Sequence, residues 1–295
     1  MIILFSWYLF AQFALVVRGK ELSAPSSWNI PIVKSSREER INRTTQAIEA
    51  FIASDNFFNS TQPPSNLIDT YWPYGAFLAT ISDFDILTNQ TRYKKIAQQR
   101  LLPALQKTTP NISQYGYAAT RAYLAYRDEA FLDIAEDYWS SNRTLTLSDE
   151  DVQSRSSPAK SKINSSVSLS CSEPGNEYTL AGGTFYSAYD KDPLTITIGA
   201  TANYLTLSVS LATIKSKTDP KYIDLANKMG EFMLNALYKG GGIFYSFIPV
   251  GGSGCPSGQY SDMNSSAVSD AAVSMQALSL LALSSDTDYS HLMDV

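Results

Sequence analysis

One spaced pattern recurs along the chain and limits what it can fold into. An aromatic residue, an Ile or Leu three positions later and an Ala or Met directly after it occur as Tyr93-Ile96-Ala97, Phe131-Ile134-Ala135, Tyr222-Leu225-Ala226 and Tyr289-Leu292-Met293. The second copy extends through Tyr138 and Trp139, and the third through Met229 and Met233. That spacing lines one face of an amphipathic helix. Three residues before the aromatic stand Asp128, Asp219 and Asp286, with Gln90 in the first copy. Asp suits an N-cap there, because its carboxylate accepts from the unpaired N–H groups of the first turn. Pro220 suits the first helical position, and Pro103 kinks or ends the first of these outer helices.

Each outer helix follows a segment richer in small and apolar residues, over about 68–87, 113–126, 197–214 and 265–283. These are predicted inner helices. In the third, Leu205, Leu207, Val209 and Leu211 alternate with Thr206, Ser208 and Ser210, which by itself is a strand pattern; the repeat assigns a helix. Turns from inner to outer helix are short, whereas the return connections run over about 143–196 and 239–263, with a shorter one at 107–112. Alternation places every long connection at the end where inner helices begin, and loops of that length are usually functional. Helical hairpins of roughly 40 residues in series imply an all-α solenoid or a closed α/α toroid, the latter with inner-helix N-termini around a central cleft. The last repeat reaches Val295 a few residues into its outer helix, so a truncated or incomplete ring is expected.

Composition narrows the function. A net charge of −5 argues against a nucleic-acid partner. The single histidine, His291, argues against a His-based triad or a His-rich metal site. No metal cluster or phosphate-binding loop stands out, so no cofactor is expected, and the chain is read as a monomer. Ile2 to Val17 is apolar, consistent with a signal peptide over residues 1–19 or an N-terminal anchor, with the helical domain over 20–295. No other segment is long and apolar enough to span a bilayer. Seven Asn-x-Ser/Thr sequons, at Asn42, Asn59, Asn89, Asn111, Asn142, Asn164 and Asn264, fit a secreted, extracellular or cell-wall protein. In that setting Cys171 and Cys255 would form one disulfide, stabilising by roughly 4 kcal/mol; two buried thiols are the alternative.

Aromatics gather near the starts of the inner helices and in the long connections: Tyr71, Trp72, Tyr74, Tyr115, Tyr117, Phe185, Tyr186, Phe244 and Tyr245. Aromatic faces pack on the C–H faces of sugar rings and tyrosine hydroxyls bond to sugar hydroxyls, although core packing claims such residues equally. Among carboxylates, Asp69 precedes an inner helix and is the best acid candidate, with an N-cap as its alternative role. Asp83 and Asp85 lie at the far end of that helix, and Asp149, Glu150 and Asp151 read as a solvated turn.

The segments "GYAATRAYLAYRDEAFLDIAEDYW", "AGGTFYS" and "TANYLTLSVSLATIKSKTDPKYIDLANKMGEFMLNALY", in that order, resemble glycoside hydrolase family 76, above all its divergent fungal secreted members. The resemblance covers roughly Ile41 to Met293. It implies an (α/α)6 barrel acting on α-1,6-linked mannan, with two adjacent aspartates at the head of an inner helix as nucleophile and acid/base. Setting Gly116-Tyr117 on the family's Gly-Trp puts Ser113 and Gln114 at those two positions, where neither supplies a carboxylate. Three readings follow: a hydrolase or transglycosidase of mannose polymers, a non-catalytic glycan-binding or cell-wall relative, and a helical-repeat scaffold for protein partners.

Overall fold

The computed structural model describes residues 34–55, 58, 71–101, 113–155, 168–173, 176–185, 195–215, 219–240, 243–244, 247–249 and 266–284. These are mostly helical. Three inner helices, α2 (Tyr71–Thr88), α4 (Ser113–Tyr126) and α7 (Ile198–Ile214), are each followed by an outer one: α3 (Lys94–Leu101), α5 (Glu129–Arg143) and α8 (Lys221–Phe232). A fourth inner helix, α9, spans Ser266–Ser284. Preceding them all is α1 (Arg37–Ser54). The inner helices pack side by side in chain order, α2 on α4, α4 on α7 and α7 on α9, while α5 lies against α4 and α7, and α8 against α7 and α9.

Local chemistry accounts for the boundaries. Asp128 caps α5, its carboxylate accepting from the Ala130 N–H at 3.3 Å. Asp219 accepts from the Lys221 N–H at 3.4 Å, and Pro220 stands one residue before the first helical position rather than at it. Helix α3 is capped differently: Asp85, from the preceding inner helix, accepts from the Tyr93 N–H at 2.8 Å. Helices α2 and α4 each end on a residue in the left-handed region, Asn89 (φ 55°) and Arg127 (φ 53°). At the first of these the Gln90 N–H reaches back to the Asp85 carbonyl and the Asn89 N–H to the Ile86 carbonyl, a pairing that satisfies terminal carbonyls and turns the chain sharply.

Helix α7 is the instructive case. Ser208 is fully buried because its hydroxyl accepts from the Trp139 indole at 2.9 Å, and Thr206 bonds back to the Ala202 carbonyl at 2.9 Å. Hydroxyls satisfied inside the helix bundle carry no preference for the surface, so the polar alternation of this stretch did not mark a strand. The core is continuous through Leu78, Ile81, Ala118, Ala122, Phe131, Ile134, Leu205, Leu207 and Leu281.

Helix α1 has no counterpart among the expected elements. Its cap is Ser36, accepting from the Glu39 N–H, but its one buried side chain is Ile48, so it offers little apolar periodicity. It attaches to α2 by the Phe51–Phe77 contact, with centroids 4.5 Å apart, and by Arg37 donating to the Leu87 carbonyl.

The long connections contain short β structure that the all-α expectation omitted. Strands β1 (Ser170–Glu173) and β2 (Asn176–Thr179) form a hairpin. Strand β3 (Thr195–Thr197) pairs antiparallel with β6 (Phe247–Pro249), joining the second and third long connections, and β4 (Tyr238–Gly240) pairs with β5 (Ile243–Phe244). Bridges Thr146–Thr184 and Phe185–Ile196 extend this patch. The acidic run expected as a solvated turn is instead helix α6 (Asp149–Ser154), opened by a reciprocal Ser148–Asp151 capping box, with Asp149 paired to Lys228 at 2.9 Å. No helix among the described residues is long and apolar enough to cross a membrane.

Candidate functional site

The heads of α2, α4 and α7 meet at one junction. Gly75 makes it possible: a Cβ there would lie 3.0 Å from the Gln114 Cβ and 3.2 Å from the Tyr115 nitrogen. Ser113 and Gln114 then diverge. Ser113 is buried, 4 % exposed, and donates to Asn142 Oδ1 on the outer helix α5 at 3.1 Å. Gln114 is half-buried and donates from Nε2 to Asn203 Oδ1 on the neighbouring inner helix at 3.3 Å.

Gln114, Tyr117 and Arg121 follow one stripe of α4 at i, i+3 and i+7, the spacing of a single helix face. Tyr117 is half-buried, and burial pushes its hydroxyl up to about 12, Asp83 adding to the shift and Arg121 opposing it. The hydroxyl is therefore a proton donor at neutral pH. Arg121 forms a buried ion pair with Asp83 of α2. A pair of this kind is retained only where partner and desolvation are both matched, so Asp83 is not available as an acid. Asp85, two residues on, faces away to α3 and α4, accepting from the Tyr93 N–H and, at 2.9 Å, from the Tyr126 hydroxyl.

Several residues expected at the cleft lie elsewhere. Tyr115 is fully buried, with its ring 6.3 Å from that of Tyr138. Adjacent helical residues point about 100° apart, which separates it from Gln114. Phe185 is also fully buried and belongs to the core. The "AGGTFYS" motif that carries it is a packing device: Gly182 (φ +92°) sits so close to α8 that a Cβ would fall 2.5 Å from the Lys228 carbonyl oxygen, and one on Gly183 2.9 Å from Phe232. Tyr74 is turned toward α1, its hydroxyl donating to Asp55 at 3.1 Å and its ring edge-on to Phe58. Asn142 is 1 % exposed, and its Nδ2 donates to the Tyr138 carbonyl at 2.8 Å. That sequon therefore has no room for a glycan in the folded chain. Asn42 and Asn89 are exposed.

Tyr71 and Trp72 open α2, and Phe244 ends β5. Asp69, Tyr186, Tyr245, Asn59, Asn111, Asn164 and Asn264 lie outside the described residues. Cys171 is buried and disulfide-bonded; the other cysteine of the chain, Cys255, lies outside the described residues. Among those residues no three His, Cys, Asp or Glu side chains gather as a metal site would require.

Asn203 and Arg121 are positions that sequence reasoning did not single out, and the pairing of Arg121 with Asp83 was not foreseen. The signal for both was present. Asn203 is the one amide in α7, and Arg121 the one charged side chain in α4. No family model matches the chain, and no curated protein matches it.

Proposed function

We propose that this is a secreted, glycan-binding protein of the glycoside hydrolase family 76 type. It holds α-1,6-mannan or a related cell-wall polysaccharide at the N-terminal ends of the inner helices of an α/α toroid, and it does not hydrolyse that polysaccharide. The observation that carries the reading is the head of α4. Where the resembled family keeps two aspartates, Ser113 is tied to Asn142 and Gln114 to Asn203. A retaining or inverting glycosidase needs two carboxyl groups flanking the scissile bond, whereas the described carboxylates of α2, Asp83 and Asp85, lie toward the far end of that helix and are engaged with Arg121 and with Tyr93 and Tyr126. Hydroxyl, amide and aromatic groups along Gln114, Tyr117 and Asn203 suit a neutral polyol, which needs paired donors and acceptors beside an apolar ring face. The exposed sequons Asn42 and Asn89 support passage through a glycosylating, oxidising compartment, as does the disulfide at Cys171.

The test is to titrate the folded protein with a linear α-1,6-manno-oligosaccharide while following ligand length by mass spectrometry. The expected outcome is saturable binding with the oligosaccharide intact, weakened about fivefold to tenfold in Tyr117→Ala. Shortened or lengthened products that vanish in Asp69→Asn would make the protein an enzyme with relocated acids. Absence of binding by folded protein would remove the glycan reading.

A further inference from the structure

Successive outer helices meet in a repeated register. The fifth residue after the aromatic of each copy is Gln98, Glu136 and Asn227, and the eighth is Leu101, Trp139 and Gly230. Residues three apart share one flank of a helix. In the first copy this flank reaches the cap of the next outer helix, Gln98 Nε2 donating to the Asp128 carboxylate at 3.1 Å. In the second it receives the aromatic of the next copy: the Tyr222 hydroxyl donates to Glu136 Oε1 at 3.1 Å, and the Tyr222 ring stands edge-on to Trp139 with centroids 4.8 Å apart. The start of each outer helix thus seats on this flank of the one before it.

In the third copy the flank belongs to α8. Asn227 Oδ1 is buried, and no group among the described residues donates to it. A buried acceptor without a donor costs free energy, and folded chains rarely keep one. Gly230 is buried as well, and without a side chain it lets a ring approach the backbone directly. The fourth copy, Asp286, Tyr289, Leu292 and Met293, lies outside the described residues, but α9, which leads to it, is described. From the last residue of an inner helix, the cap position and the aromatic follow at two and five residues in Thr88–Gln90–Tyr93 and in Tyr126–Asp128–Phe131. Helix α9 ends at Ser284, which puts Asp286 and Tyr289 at the same two distances. Helix α8 packs on α9 as α5 packs on α7.

We propose that the flank of α8 bearing Asn227 and Gly230 is the docking site for this chain's own segment 286–295, which packs there as the next outer helix, with the Tyr289 ring against Gly230 and its hydroxyl donating to Asn227 Oδ1. The contact repeats that of Tyr222 on α5, with an amide carbonyl in place of the Glu136 carboxylate. The spacing from α9 delivers Tyr289 from the same chain, which selects this occupant over a second copy. The assignment is independent of the glycan reading.

The experiment uses the full chain carrying Tyr289→p-benzoylphenylalanine, irradiated in dilute solution, with cross-linked peptides mapped by mass spectrometry. The expected result is a link within one chain from position 289 to the stretch 222–239. A link to that stretch in a covalent dimer assigns the flank to a second copy and overturns the proposal. A link elsewhere, or none, overturns it too. Tyr289→Phe, Asn227→Ala and the double variant, compared by chemical denaturation, test the hydrogen bond and decide should the bulky replacement not fold. Each single change is expected to lower the folding equilibrium constant about fivefold, and the two together by no more than about tenfold, because they remove the same bond. Independent effects, multiplying to about 25-fold, or no effect of Tyr289→Phe, would overturn it.

Discussion

Two aspartates, two positions apart in one helix, show how a single rotation of about 200° separates chemical fates. Asp83 meets Arg121 and is held as a buried ion pair. Asp85 meets only neutral donors, with Oδ2 bonded to the Tyr93 N–H and the Tyr126 hydroxyl and Oδ1 buried without a partner. Burial raises its carboxyl above the usual 3.8, outweighing those hydrogen bonds and the nearby Arg92. The folded chain therefore binds that proton more tightly than the unfolded chain. Asp85 then favours folding below the ordinary Asp range, and this contribution is lost as pH rises through the raised value. Asparagine at 85 keeps an acceptor for both donors and does not ionise. The Tm of Asp85→Asn relative to wild type is expected to climb between about pH 4 and pH 7. Thermal melts across that range would show a constant difference if Asp85 did not titrate in the fold. Asp128 shows the opposite sign: a hydrogen bond from Lys94 holds its carboxyl below the usual value, as befits an ionised cap.

At the scale of elements, glycines set how closely helices and connections approach. A Cβ on Gly116 would fall 2.6 Å from Leu207 of α7 and 2.9 Å from Tyr138 of α5, so α4 lies unusually near both neighbours. Gly182 does the same between the second long connection and α8. It combines a φ of +92°, costly for any residue with a Cβ, with direct approach to the Lys228 backbone. Gly182→Ala is expected to destabilise by at least about 2 kcal/mol. Chemical denaturation would read this as a lower midpoint at an unchanged m-value. The loss has no route through a substrate contact, since the turn packs on Ile196 and Phe232. The last turn of the outer helix beyond this contact, Met233–Leu237, is π-helical, and strand β4 follows it directly.

For the whole molecule, the long connections are knitted to each other rather than hanging separately. Strands β3 and β6 join the second and third connections, and the Thr197 side chain at the end of β3 caps α7 by accepting from the Ala200 N–H. The same connection carries the disulfide-bonded Cys171 in β1. A covalent link closing a long loop restricts the unfolded chain more than the folded one. Reduction, or Cys171→Ser, is expected to cost roughly 4 kcal/mol. Thermal unfolding with and without reductant measures it, and an unchanged Tm would mean that the surrounding ladders hold this end without the link.

The amino-acid sequence by itself determined where the helices of the repeat run. The inner segments expected over 113–126 and 197–214 are Ser113–Tyr126 and Ile198–Ile214, because period, caps and turn signals are local and each is satisfied within a few residues. Asp128 was legible as a cap for the same reason. Helix α1 was not, since it packs through a few aromatics and leaves most of its surface in water. Only the tertiary structure decided which side of each helix faces a neighbour. Tyr115, Tyr117 and Phe185 look alike as candidates, yet Tyr115 and Phe185 are core and Tyr117 borders the junction. A tyrosine is apolar enough to bury and polar enough to bind, and the outcome turns on a rotation that packing supplies. Asn142 makes the same point: three residues spell a glycosylation signal, but Ser113, from a distant part of the chain, and the Tyr138 carbonyl occupy its amide. Asn203 became meaningful only when α4 was laid beside α7, because a hydrogen bond between residues so far apart in the chain has no local signature.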